Sequence, residues 1–139
     1  MLNKRVYLAG PIFGKNDDEC TGWRAAASAW LTMKGFEPVD PMRRDYRGRE
    51  DLAPEAIVSG DMEDILLCGY ILANVNEPSW GTAMELVYGM QSDCTVIAFA
   101  TRERVPKLSP WIRCHTDQVY VSLRDALNGI TEGSKKGHR

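Results

Sequence analysis

The chain has 139 residues, enough for one hydrophobic core and too few for two. Its hydrophobic content of 44% and charged content of 26% are ordinary for a globular protein, and a formal net charge of −2 argues against nucleic acid or an anionic membrane as the main partner. Cys20, Cys68, Cys94 and Cys114 lie far apart with no C-x-x-C pair, so no disulfide framework or zinc-ligand spacing is legible, and reduced thiols in a cytoplasm are expected.

Met1-Leu2-Asn3-Lys4-Arg5-Val6 leads straight into a strand-like run, with no long apolar segment and no signal-peptide pattern. Val6-Tyr7-Leu8-Ala9, closed by Gly10-Pro11, reads as a buried strand meeting a loop. A helix is expected from Asn16, an N-cap followed by three acids, to Lys34, with Trp23, Ala27, Trp30 and Leu31 on one face and Gly35 as its stop. Phe36 to Val39 suits a second strand, and the basic, turn-rich run DPMRRDYRGRED (40–51) a long loop. A helix opening at Pro54 and running to about Cys68 comes next, then a strand over Tyr70–Val75, a helix over Gly81–Gln91 and a strand over Thr95–Phe99. After the proline-interrupted segment TRERVPKLSPWIRCHTD come a short strand at Val119–Val121 and a last helix over Ser122–Gly129. The tail from 131 to 139 has too little apolar content to pack, so one domain over 1–130 and a flexible tail are expected.

Strands alternating with helices call for an α/β fold with a parallel, doubly wound sheet of five strands. Such sheets bind ligands at the carboxyl ends of their strands. Gly10, Asp40 and PSWGT (78–82, with Ser79 and Gly81) all follow strands and gather on that edge, and Glu85 with them. Thr82-Ala83-Met84-Glu85 also fits a capping box, so Glu85 reads either as a helix cap or as a nucleophile kept anionic by the helix N-terminus. On the helix from Pro54, the residues Ile57, Asp61, Asp64, Ile65 and Cys68 share one broad face. Carboxylates on an apolar stripe must be paired, hydrogen-bonded or protonated. Pairing with an arginine of the 43–49 loop is the plain reading, and a second acid beside Glu85 the functional one; a nucleophilic carboxylate with a separate proton donor suits retaining glycosyl transfer.

The segments VYLAGPI, GDMEDI, NVNEPS, WGTAMELVYGM and LSPWIR, in this order from about Val6 to Leu127, together resemble the nucleoside 2-deoxyribosyltransferase superfamily, which includes nucleoside 5′-monophosphate N-glycosidases. The resemblance implies a Rossmann-like, flavodoxin-type fold, a homo-oligomer with sites completed by a neighbouring subunit, a nucleoside or nucleoside monophosphate as substrate, and no cofactor or metal. Position by position, it makes Glu85 the carboxylate that attacks the anomeric carbon and Tyr7 the phenol that orients it. Asp61 matches the aspartate that serves the departing base, and Ser109 a loop residue donated across the interface to the 5′ end of the sugar.

Departures from that pattern carry information. Many relatives have an aspartate where this chain has Gly69. Nucleoside transferases tend to place an acid six positions before the catalytic glutamate; Ser79 stands there, as in monophosphate N-glycosidases, because a carboxylate would repel a phosphate. The first-loop arginine usual in those glycosidases is replaced by Phe13, with Lys15, Arg113 or Arg43, Arg44, Arg47 and Arg49 as substitutes for it. The reading is a cytoplasmic enzyme that breaks the N-glycosidic bond of a nucleoside or its 5′-monophosphate; a non-catalytic nucleotide-binding module on the same fold is the alternative.

Overall fold

The structure, a computed structural model, describes residues 2–133. Five strands, β1 (Arg5–Ala9), β2 (Glu37–Val39), β3 (Tyr70–Asn74), β4 (Thr95–Phe99) and β5 (Gln118–Tyr120), form one all-parallel sheet in the order β2-β1-β3-β4-β5. The intervening helices are α1 (Trp23–Met33), α2 (Pro54–Leu66), α3 (Trp80–Gln91), the short α4 (Pro110–Cys114) and α5 (Leu123–Thr131). This is the expected doubly wound flavodoxin-type arrangement, with its switch point between β1 and β3.

Both sheet faces are covered, which is why the central strands are apolar at nearly every position. Tyr7, Ala9, Ile71, Ala73, Val96 and Ala98 pack against Ile65 of α2 and Leu86 of α3. Their alternates Val6, Leu8, Leu72 and Ile97 pack against Ala27 and Leu31 of α1 and Ala126, Leu127 and Ile130 of α5. Tyr7 therefore points to the α2–α3 side of the sheet, and that one fact fixes where the site can be.

The expected elements stand within a residue or two of the observed ones, with three differences. The first helix is not continuous from Asn16. Asn16 and Glu19 do exchange hydrogen bonds between side chain and backbone, but Asp18–Gly22 forms a wide π-helical turn before α1 begins at Trp23. The Thr21 hydroxyl donates back to the Asp17 carbonyl at 2.7 Å, the kind of back-bonding that loosens a helical turn. Second, the proline-interrupted segment holds α4, whose N-cap Ser109 accepts from the Trp111 N–H and whose first residue is Pro110. Third, the expected tail begins too early: Thr131 ends α5, its hydroxyl bonded to the Leu127 carbonyl, while residues 134–139 lie outside the described residues.

Gly69 sits at the opposite end of the sheet from the strands' carboxyl edge. A Cβ there would lie 2.3 Å from the Asn3 carbonyl oxygen, and Asn3 is pinned by bonds from its amide to the Leu67 carbonyl and from the Arg5 N–H. The departure from aspartate is thus a local packing matter remote from Tyr7. Gly69→Asp should destabilise the fold by about 1–3 kcal/mol, as overpacking does, while leaving the turnover of the folded fraction unchanged; urea unfolding beside an activity assay checks both.

Candidate functional site

A cleft of about 440 Å³ opens where β1 and β3 diverge, and Gly10, Asp61, Ser79, Gly81 and Glu85 are among the residues lining it. Its apolar wall includes Ile12 and Phe13 of the first loop, Met42 and Tyr46 of the long loop, Ile57, Val58 and Met62 of α2, and Met84 and Tyr88 of α3. Phe13 is 72% exposed at the rim.

At the floor, the Tyr7 hydroxyl donates to Glu85 Oε2 at 2.5 Å. Tyr7 is fully buried, and burial, with the nearby Glu85 and Asp61 charges, raises its phenol far above the usual range, so it stays protonated and donates. Glu85 does not cap its helix. Ser79 is the N-cap of α3, its Oγ accepting from the Thr82 N–H at 3.3 Å and the Thr82 hydroxyl at 3.0 Å, so the expected Thr82–Glu85 box is not formed. Glu85 lies in the second turn, where its carboxyl faces the sheet and not the free N–H groups of the helix end. The expected source of a lowered pKa is therefore missing, and burial pushes the carboxyl up to about 8, with the Tyr7 bond and Arg24 pulling down and Asp61 pushing up.

Asp61 of α2 joins this pair. Burial raises its pKa, Arg44 at 3.4 Å and Tyr7 oppose the rise, and Asp64 adds to it. Glu85 and Asp61 thus titrate as a pair. Asp64 is held differently: it accepts from Arg43 and Arg44, both at 2.7 Å, and although its own burial works to raise its pKa, the two guanidiniums together hold it below the usual value. The plain reading of this carboxylate, pairing with the 43–49 loop, describes it correctly.

Sequence reasoning missed Arg24. This side chain of α1 is fully buried and donates to the carbonyls of Leu8 (3.2 Å), Cys20 (2.7 Å) and Gly10 (2.9 Å). Its i, i+3, i+7 spacing with Ala27 and Leu31 was the available signal. Gly10 is needed beside it, since a Cβ there would stand 2.8 Å from the Trp23 ring and 3.3 Å from an Arg24 nitrogen. Asp40, expected among substrate contacts, instead accepts from the Met42 N–H at 2.8 Å and faces Arg24 at 3.8 Å, outside the cleft lining.

Ser79 also borders a second groove of about 380 Å³, lined by Ser109, Trp80, Trp111, Arg104 and Lys107. Arg104 and Lys107 were not singled out from the sequence; they lie in its proline-interrupted segment. Arg113 is exposed on α4 and lines neither cavity. The other cations proposed for an anion are engaged elsewhere: Lys15 with Glu77 and Glu19, Arg43 and Arg44 with Asp64, Arg47 with Asp17 and Asp45, and Arg49 with the Asp45 carbonyl. Among the described residues no group of three or more His, Cys, Asp or Glu is arranged to hold a metal ion, and no helix is long and apolar enough to cross a membrane.

The sequence pattern of the nucleoside 2-deoxyribosyltransferase family matches residues 6–128, nearly the whole chain and every residue described above at the cleft floor. The chain belongs to that family. Among solved structures, a 2-deoxyribosyltransferase from Bacillus psychrosaccharolyticus superposes with a TM-score of 0.71 at 18% identity, covering 89% of this chain and 90% of the other. A CMP N-glycosidase from Clostridium botulinum gives 0.64 at 19% identity over 91% and 98%, and a conserved protein from Enterococcus faecalis 0.70 at 16% over 94% and 98%. At these identities the superpositions speak for the fold. No curated protein matches the chain closely enough to register as a relative.

The half-buried Glu85 is the carboxylate of the floor whose ionisation is easiest to probe. Its pKa is about 8 folded against an ordinary 4.5, so between these values the folded state holds a proton the unfolded state has lost, and stability falls as pH rises through that window. Glu85→Gln removes this dependence. Its melting temperature should match wild type near pH 4.5 and exceed it by a widening margin up to pH 8, an effect on the order of a few kcal/mol at about 1.4 kcal/mol per pKa unit; melts across that range, with equal margins overturning the assignment, provide the check.

Proposed function

We propose that this protein breaks the N-glycosidic bond of a nucleoside 5′-monophosphate through a covalent glycosyl–Glu85 intermediate. One observation carries the reading: a protonated phenol, a buried carboxylate hydrogen-bonded to it and a second carboxyl share the floor of one cleft at the sheet's switch point. In the first step a Glu85 oxygen forms a bond to C1′ while the C1′–N bond breaks, its electron pair leaving with the base and a proton from Asp61 neutralising the developing charge. Tyr7, donating to one Glu85 oxygen, leaves the other aimed at the sugar. In the second step water or another base attacks C1′, releases Glu85 and returns a proton to Asp61, the order of events expected of a retaining mechanism. Productive chemistry thus needs the shared proton on Asp61 and not on Glu85.

The 5′-phosphate follows from the groove beyond Ser79. It offers Ser79, Ser109, Arg104 and Lys107 to a ligand whose sugar sits over Glu85; the one carboxylate lining it, Glu77, is neutralised by its ion pair with Lys15. That one solved relative is a CMP N-glycosidase accords with this. The base falls against the apolar wall of Met42, Tyr46, Val58 and Met62. With a panel of nucleosides and monophosphates, chromatography should show free-base release, faster from monophosphates. Glu85→Gln should lower that rate by several orders of magnitude while binding persists. Binding without base release by the wild-type protein would instead make it a nucleotide-binding module.

The outer face beside the cleft is too apolar for solvent alone. Val58 (56%), Leu66 (60%), Trp80 (88%), Met84 (67%) and Trp111 (72%) stay exposed on α2, α3 and α4. A second copy of the chain docked here would cover them and bring its own loops to the groove, so the active unit is a homo-oligomer. Light scattering at assay concentration should find a dimer or larger; a fully active monomer would overturn this.

A further inference from the structure

Two arginines flank the paired carboxyls, and they are compensated unequally. On the Glu85 side, Arg24 spends its donors on three neutral backbone carbonyls, and the carboxylate facing it, Asp40, is 3.8 Å away. On the Asp61 side, Arg44 is in direct contact with Asp64 at 2.7 Å and only loosely with Asp61 at 3.4 Å. Asp64 is nearly buried and takes no part in the chemistry proposed above; it does not line the cleft. The seat for Arg44 is built into α2. Gly60 lies beneath the guanidinium, and a Cβ on it would stand 3.0–3.1 Å from three of the Arg44 head-group atoms. A glycine in the middle of a 13-residue helix is otherwise unfavourable, so its presence here has a packing reason.

We propose that Asp64, acting through Arg44 on the Gly60 seat, is a positioning residue that raises the proton affinity of Asp61 toward that of Glu85, so that the proton Glu85 holds in the free site can be carried by Asp61 when Glu85 attacks. By drawing the Arg44 charge to itself, Asp64 withholds from Asp61 the cation that would keep it an anion; its own negative charge adds to the effect. The positive charge of Arg24 remains available to Glu85 across the floor. The groups facing Asp61 are Tyr7 from β1, Glu85 from α3, Arg44 from the loop after β2 and Asp64 from its own helix; of these only Arg44 favours ionised Asp61 by charge, and Tyr7 does so by hydrogen bonding. Removing the Asp64 charge therefore leaves the proton on Glu85, the unproductive arrangement. The proposal rests on the N-glycosidic reading for its kinetic consequence and on the Arg44–Asp64 contact and the charges around Asp61 for its proton affinity.

The test uses the full chain and two variants. In Asp64→Asn the descending limb of the kcat/KM–pH profile should move down by about one unit. Base release from unactivated monophosphates should fall about tenfold or more, and nitrophenyl glycosides, whose leaving group needs no acid, should lose much less. Asp64→Glu, which keeps the charge, should restore the limb. Gly60→Ala should shift the limb in the same direction by displacing Arg44 from its seat. Equal losses for both substrate types with an unmoved limb, or a raised KM alone, would make the Arg43–Arg44–Asp64 cluster a tie for the loop and overturn the proposal. Carboxyl carbon NMR on aspartate-labelled wild type gives a readout independent of activity. Asp61 should titrate above the ordinary range while Asp64 stays ionised, and Asp61 should titrate lower in Asp64→Asn. Asp61 titrating at or below an ordinary aspartate would sink the idea even if base release is found. Conversely, the expected titration with no base release from any substrate would retain the proton placement and discard the N-glycosidic reading.

Discussion

The hydrogen bond from Tyr7 to Glu85 joins β1 to the helix that follows the switch point, and the remaining architecture of the cleft is arranged around it. A phenol and a carboxyl buried side by side are costly unless each satisfies the other. That condition requires β1 to present Tyr7, not Val6 or Leu8, to the α2–α3 face. A one-residue change of register would turn Tyr7 toward α1 and α5 and leave Glu85 facing an apolar side chain. Strand register, set by continuous apolar burial on both faces, is therefore also what determines whether a site exists.

Burial raises the pKa of both carboxyls, so the cleft floor holds fewer negative charges near neutral pH than its composition suggests. Under the proposed reading this is a useful state: a floor with two full charges would repel the monophosphate that Arg104 and Lys107 of the groove would attract. It also explains why two arginines close to the site are tied up by carbonyls and by Asp64. Free guanidiniums at those places would hold both acids ionised and remove the proton that the departing base requires.

Much of this was legible in the sequence. Apolar runs closed by Gly10-Pro11 and by PSWGT marked strand ends, and parallel topology then placed Glu85 and Asp61 at one edge without reference to any relative. The failures share a cause. Ser79 and not Thr82 is the cap because the helix begins at Trp80, and local spacing cannot distinguish two hydroxyls three residues apart. Among the arginines of the 43–49 loop, pairing with Asp64 was expected, whereas that of Arg47 with Asp17 was not legible, because Asp17 is distant in sequence and on another element. Arg24 shares the buried stripe of Ala27 and Leu31, yet its partners are backbone carbonyls, which leave no trace in a sequence. Pattern reports which face is buried, and partner identity comes only with the fold.

The same asymmetry separates the floor of the cleft from its roof. Floor groups are held by buried or half-buried bonds: Tyr7 to Glu85, Arg24 to Gly10 and Leu8, Arg44 to Asp64. The roof, formed by the loop after β1 and the loop after β2, is tied across by Arg47 to Asp17, and on its other side by Lys15 to Glu77. Asp17 is 83% exposed at the side chain, so water and salt screen the tie and it contributes little to stability. A ligand entering past Phe13 can replace such ties at small cost, whereas displacing the floor would mean unpairing buried charges. Rigidity is thus concentrated where a proton must sit on one particular oxygen, and looseness where a nucleotide must pass; the two requirements are met by the same kind of side chain, an arginine beside an aspartate, at different depths.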